Sequence, residues 1–220
     1  MPDVKLAPSI LTADFGRLAD EVRAAEAGGA DLLHLDVMDG RFVPVITFGT
    51  TLVETLRKAT ELPLDLHLMI VEPERHIEAF AEFVDTVNVH IEVSPHINRT
   101  LESIRKLGKR AGVCINPGTP ASAIEESIGI VDQVTVMAIN PGWGGQQMMP
   151  QQLQKARRIR TLLDDARSNA DLLIDGGVKR ENVQQCVKAG ANVLVCGSSV
   201  FNAEASPAEN LAGIRAALSR

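Results

Sequence analysis

The chain has 220 residues, 45% of them hydrophobic, which is ample for one sizeable core. Lys and Arg number 22 against 28 Asp and Glu, for a formal net charge of -6, and only 3% of residues are aromatic. With no basic run or stripe, this composition argues against a nucleic-acid partner, and no apolar run reaches the length that spans a bilayer.

Short apolar runs alternate with helix-like stretches from end to end. A strand-like run at 4–9 precedes a helical 18–27, and 32–36 precedes a helix near 51–59. The run 64–68 precedes 74–83, where Pro73 suits a first helical turn. Four further pairs follow: 86–91 with 98–107, 111–115 with 122–128, 133–137 with 152–166, and 172–175 with 182–189. The last pair is 193–196 with 208–218. Eight strand–helix units are the count of a closed (β/α)8 barrel, and continuous Val/Ile/Leu strands fit a sheet covered on both faces. An open doubly wound sheet is the rival, but no GxGxxG follows the first strand. Without a linker or composition shift, residues 1–220 are expected to form one domain.

The opening Met1-Pro2-Asp3-Val4-Lys5 lacks a charged-then-apolar leader, so a soluble cytoplasmic protein is expected. Cys114, Cys186 and Cys196 are widely spaced and form no CxxC pair. They read as reduced core residues.

The chemistry gathers at strand ends, the catalytic face of this barrel. His34, Asp36 and Met38 share one strand face, as do Asp65, His67 and Met69. A third run ends on Asp175-Gly176-Gly177. Any one of these side chains alone reads as a satisfied core or rim residue. Jointly, His34, Asp36, His67 and Asp175 offer two imidazoles and two carboxylates to one divalent ion. Asp36 and Asp175 come from distant strands and can flank a substrate. One carboxylate removes a proton alpha to a carbonyl and the other returns one on the opposite face, while the ion stabilises the enediolate's oxyanion. Asp39 reads as a turn residue, His76 and His96 as surface positions, and His90 and Glu92 as structural.

Asn140-Pro141-Gly142-Trp143-Gly144-Gly145-Gln146, Asp175-Gly176-Gly177 and Gly197-Ser198-Ser199 each follow a strand and precede a helix. A lone Gly-Gly is usually a turn, but the last two loops of this barrel are its usual phosphate site. Met38, Met69 and Met137 suit either gap filling or a polarisable wall against a planar intermediate. Trp143 suits a lid or a packing anchor.

These motifs, with Ala7-Pro8-Ser9-Ile10-Leu11 and the run from His34 to Pro44, resemble the ribulose-phosphate 3-epimerase family from about Leu6 to Phe201. The resemblance implies a TIM barrel that interconverts D-ribulose 5-phosphate and D-xylulose 5-phosphate, in the pentose phosphate pathway or the Calvin cycle. By position, Asp36 is then the proton acceptor and Asp175 the donor from ribulose to xylulose. His34, Asp36, His67 and Asp175 hold one ion: zinc, iron, manganese or cobalt. Ser9 and His67 touch substrate, and Gly142 to Gly145, Gly176, Gly177, Gly197 and Ser198 line the sugar phosphate. A homo-oligomer, dimer or hexamer, is also implied. The chain departs from the family pattern at Val45, Trp143 and Met148-Met149, none of them a ligand or a carboxylate.

Three rivals stand beside this expectation. An epimerase of another ketose phosphate, such as allulose 6-phosphate, needs the same chemistry in a different pocket. A sugar-phosphate decarboxylase or aldolase on the same barrel carries a Lys that Asp65-Leu66-His67 lacks. A non-catalytic phosphosugar-binding protein has no use for both Asp36 and Asp175.

Overall fold

The computed structural model describes residues 4–219; Met1–Asp3 and Arg220, counted in the expected domain, lie outside the described residues. Eight strands form one parallel sheet: β1 (Lys5–Pro8), β2 (Leu33–Met38), β3 (Leu64–Met69), β4 (Thr86–His90), β5 (Arg110–Ile115), β6 (Gln133–Met137), β7 (Asp171–Asp175) and β8 (Val193–Cys196). Hydrogen bonds run in the order β1-β8-β7-β6-β5-β4-β3-β2. The two ends of that order also meet. Ser9 bridges His34, and the Asp31 N–H donates to the Leu6 carbonyl at 3.0 Å. The result is a nearly closed (β/α)8 TIM barrel in a single domain.

Between the strands run α1 (Leu18–Ala27), α2 (Thr50–Ala59), α3 (Ile77–Ala81), α4 (Ile97–Lys106), α5 (Gln152–Asp165), α6 (Val183–Lys188) and, last, α7 (Pro207–Leu218). Arg215 of α7 clasps the seam where the barrel closes. It donates to the carbonyls of Val4 at 2.8 Å and Gly29 at 3.0 Å, and pairs with Asp31.

Two connections differ from the sequence expectation. Residues 121–127 form a 3₁₀ helix, not an α-helix, and its buried Ala121, Ile124 and Ser127 recur every third residue. That spacing matches the three-residue turn, which stacks them on one face. The expected helix at 74–83 is split into a 3₁₀ turn, Pro73–Arg75, and the short α3. β2 and β3 each run on to a methionine, past the expected ends at Asp36 and Leu68.

Every residue of β2 and β3 is buried, as for strands covered on both faces. Leu33, Leu35 and Val37 join the main apolar core with the helices. His34, Asp36 and Met38 alternate to the barrel interior, and the parallel register sets them beside Asp65, His67 and Met69. The interior is polar at this point, and Asp65, Asn88 and Gln133 form a hydrogen-bonded net across it. Asp65 accepts from Asn88 Nδ2 at 2.7 Å and Gln133 Nε2 at 2.9 Å, and Gln133 also donates to Asn88 Oδ1 at 2.9 Å. Gly112 makes room for this net: a Cβ there would lie 1.8 Å from Asn88 Oδ1.

Candidate active site

Four side chains converge at the mouth of the barrel. His34 Nε2 lies 3.3 Å from Asp36 Oδ1 and 3.7 Å from Asp175 Oδ2. His67 Nδ1 lies 3.1 Å from Asp36 Oδ1, 3.5 Å from Asp175 Oδ2 and 3.2 Å from His34 Nε2. A tetrahedral ion with bonds of about 2.0–2.1 Å has ligand–ligand edges of roughly 3.3–3.4 Å. The observed separations bracket that value, and all four residues are buried. Two imidazole nitrogens and two carboxylate oxygens so placed can hold one divalent transition ion.

Each imidazole is oriented from behind. His34 Nδ1 lies 2.8 Å from Asp65 Oδ2, so its proton belongs there and Nε2 is free to face the cluster. His67 Nε2 lies 2.9 Å from His90 Nε2, and His90 Nδ1 lies 3.1 Å from Glu92 Oε2. The sequence alone assigns Asp65, Asn88, Gln133, His90 and Glu92 no chemistry. The one signal was the inward alternation of Asp65 with His67 and of Asn88 with His90.

The electrostatics follow from this crowding. Burial opposes a charge on His34, but Asp36 and Asp65 outweigh it and raise its pKa to about 10. Burial likewise opposes charge on Asp36, and His34 and His67 outweigh it, holding the carboxyl well below its ordinary range. His67 is raised as well: burial is outweighed by Cys114, Asp175 and Asp36. His90 goes the other way, pushed down to about 4 by burial and by His67 against the pull of Glu92. Glu92 is lowered to about 2, because His90, Thr119 and the Asn116 N–H outweigh its partial burial.

Above the cluster opens a cavity, continuous with solvent. Asp36 and Asp175 form part of its wall with Ser9, whose Oγ donates to Asp36 Oδ2 at 2.5 Å. Met38, Met69 and Met137 line it together, each nearly fully buried. Gly142, Trp143, Gly144, Gly145, Gly176, Gly177, Gly197 and Ser198 also line it. His34 and His67 are absent from the wall. His67 is fully buried, with Nδ1 against the carboxylates that reach the wall. Trp143 is 56% exposed, so it sits at the rim and not in a packed anchor.

The glycine loops have backbone reasons for their composition. Gly177 has φ +66, and a Cβ on it would lie 2.4 Å from the Met148 backbone nitrogen. After β8, the N–H groups of Val200 and Phe201 close one turn on the Gly197 carbonyl at 2.8 and 3.1 Å. The N–H groups of Gly177, Gly197 and Ser198 donate to no backbone carbonyl among the described residues. Backbone N–H groups left without a carbonyl partner suit an anion.

Other candidates resolve simply. Asp39 is a turn residue: its carboxylate accepts from the N–H groups of Arg41, Phe42 and Val71 at 2.8–2.9 Å. Cys114, Cys186 and Cys196 are free and buried, and burial pushes the thiols of Cys186 and Cys196 up to about 12. His76 and His96 are exposed.

Residues 5–201 match the model of the ribulose-phosphate 3 epimerase family. The chain belongs to that family. A ribulose-phosphate 3-epimerase of Synechocystis sp. is 47% identical over 216 residues, 97% of this chain and 94% of that protein. One from Bacillus subtilis is 48% identical over 201 residues, 90% of this chain and 92% of that protein. Family membership makes the chain an enzyme, an isomerase of the epimerase class. Among solved structures, a 3-hexulose-6-phosphate synthase superposes with a TM-score of 0.72 at 21% identity, over 97% of this chain and 99% of that one. The KGPDC of Streptococcus mutans gives 0.73 at 12%, over 99% and 98%. At such identities these two show the barrel alone.

Within the family pattern, the departures lie around the cluster and not in it. Val45 packs beside Met38, Val43 and Met69. Met148 packs against the main core, with its backbone against Gly177. Trp143 stands at the cavity rim.

Proposed function

We propose that this chain interconverts D-ribulose 5-phosphate and D-xylulose 5-phosphate by proton transfer at C3. One divalent ion, zinc, iron, manganese or cobalt, is held by His34, Asp36, His67 and Asp175. One juxtaposition carries this conclusion. Asp36 and Asp175, from β2 and β7, open onto the same cavity while each turns an oxygen toward the same two imidazoles.

When bound, the ion supplies Lewis-acid stabilisation of the negative charge that develops on substrate oxygen. Asp36 takes the C3 proton in the ribulose-to-xylulose direction, and Asp175 delivers one to the opposite face; the roles exchange in reverse. Ser9, donating to Asp36 Oδ2, favours the ionised carboxylate that must act as base. Met38, Met69 and Met137 offer a soft apolar wall to the flattened carbon skeleton. Gly176, Gly177, Gly197 and Ser198 receive the phosphate through backbone N–H groups. Gly142 to Gly145, with Trp143, cover the sugar from the rim. The enzyme acts in the cytoplasm as a homo-oligomer, in the pentose phosphate pathway or the Calvin cycle. Among the described residues no helix is long and apolar enough to cross a membrane.

The test is isotopic. Ribulose 5-phosphate deuterated at C3 should lose its label to solvent during turnover. Product that keeps the label would rule out exchange through two carboxylates. Ketose 4-, 5- and 6-phosphates assayed side by side should give the pentulose the highest kcat/KM, and a preferred hexulose would move the assignment to another ketose phosphate.

A further inference from the structure

We infer that Glu92 fixes the position of the proton on His90, and through His90 that on His67, so that His67 offers a bare Nδ1 to the ion. Glu92 and His90 are thus positioning residues for the metal site, and this inference rests on the metal-dependent function proposed above.

The steps follow from which atoms can donate. Glu92 Oε1 accepts from the Asn116 backbone N–H at 2.8 Å and from Thr119 Oγ1. A backbone N–H can only donate, so that end of Glu92 must be an acceptor. Its other oxygen, Oε2, lies 3.1 Å from His90 Nδ1. An ionised carboxylate only accepts, so the His90 proton sits on Nδ1. His90 Nε2 is then bare, and at 2.9 Å it accepts the Nε2–H of His67. A neutral His67 with its proton on Nε2 has none on Nδ1, the atom that faces His34, Asp36 and Asp175. Phe42 packs against the His90 ring at 4.8 Å between centroids and limits its rotation.

The two imidazoles of the site are therefore set by unlike devices. His34 is oriented by direct contact with the buried carboxylate Asp65. His67 is set at one remove, by a carboxylate on the loop after β4 that is itself held by the loop after β5. A rival use of the same side chains exists, since His67, His90 and Cys114 also lie close enough to hold an ion of their own. In that case His67 Nε2 would be a ligand and not a donor.

Glu92→Gln separates these possibilities. The fixed Asn116 N–H draws the amide oxygen, which turns the amide NH₂ toward His90 Nδ1. Two donors then face each other unless the His90 proton moves to Nε2. That move drives the His67 proton onto Nδ1, into the metal site. Zinc affinity, measured by competition with a chromophoric chelator, should fall about 10–100-fold, the usual cost of losing an outer partner of a ligand. The visible spectrum of the cobalt-loaded variant should change with it. Thr119→Val, which leaves Glu92 an acceptor, should bind zinc like the unmodified chain. Long-range ¹H–¹⁵N spectra of the zinc-loaded, unmodified protein should show His90 protonated at Nδ1 and His67 at Nε2, a readout that stands even if the Gln variant fails to fold. Unchanged zinc affinity in Glu92→Gln, or a proton on His90 Nε2 in the unmodified protein, would overturn the inference. So would two zinc ions per chain with loss of the Cys114 thiol. An unmodified chain that takes up no zinc would overturn the metal-dependent function as well.

Discussion

Oδ2 of Asp65 lies 2.8 Å from Nδ1 of His34, directly behind the converging ligands. Asp65 is 1% exposed, and its other oxygen is taken by Asn88 and Gln133. All three partners arrive as donors. Asp65→Asn must therefore turn an NH₂ against one of them, leaving a buried donor unpaired. We expect a stability loss of about 1–3 kcal/mol in denaturant melts. Zinc affinity should fall about 10–100-fold, because the tautomer of His34 is no longer held. A variant as stable and as metal-avid as the unmodified protein would show that Asp65 only fills space.

Removing the ion gives a second expectation. An ion that binds only the folded chain stabilises it in proportion to the logarithm of its free concentration, about 2.7 kcal/mol at a hundredfold excess over Kd. Dialysis against a chelator should lower both turnover and Tm, and titrating a divalent ion back should restore them together. Activity that survives exhaustive chelation, with no metal left by elemental analysis, would argue against the ion. Comparing zinc, iron, manganese and cobalt in the same titration would identify the preferred one.

Asp175 is the side chain whose loss separates enzyme from binder. It lies at the end of β7, is 12% exposed at the side chain, and borders the cavity together with Asp36. Asp175→Asn should lower kcat about 10²–10⁴-fold, the usual worth of one acid/base group. If Asp36 alone removes the proton from ribulose 5-phosphate, this variant should still wash deuterium from C3 while forming little xylulose product. Metal content must be measured in parallel, since Asp175 is also a proposed ligand. Full turnover in the variant would remove the two-carboxylate mechanism.

How far these features could be read from residues alone depends on distance along the chain. The eight units were legible because each is local: an apolar run, a helical period and a turn of glycines. His34 and Asp36 stood out for the same reason, since strand alternation puts them on one face whatever the rest of the chain does. The contact of Asp65 with Gln133 spans 68 residues and exists only because the barrel closes in one register. His90 had no visible partner, because His67 is 23 residues away and the ring nitrogens meet only across adjacent strands. The helical expectation at 122–128 falls on a 3₁₀ segment, 121–127, because apolar residues spaced i, i+3 suit either helix and none within 121–127 has an apolar i+4 partner there to separate them.

The far end of the barrel provides a test of stability that leaves the chemistry alone. Asp171 accepts from Arg110 at 2.7 Å and Asn192 at 2.6 Å, with Lys5 at 3.3 Å. Burial alone would raise its pKa, but Arg110, Asn192 and Lys5 outweigh burial and hold it below the ordinary carboxylate value. The sign of the linkage follows. A carboxyl with a depressed folded-state pKa contributes stability above its unfolded pKa of about 3.9, and that contribution is lost as pH falls toward the folded value. Denaturant midpoints of the unmodified chain should therefore drop below about pH 4. Asp171→Asn should cost about 1–3 kcal/mol at pH 7. Its deficit should shrink as pH falls, because the unmodified chain loses the same charge, while kcat at pH 7 stays close to that of the unmodified enzyme. A deficit that persists unchanged at acid pH would mean that Asp171 acts by shape and not by charge.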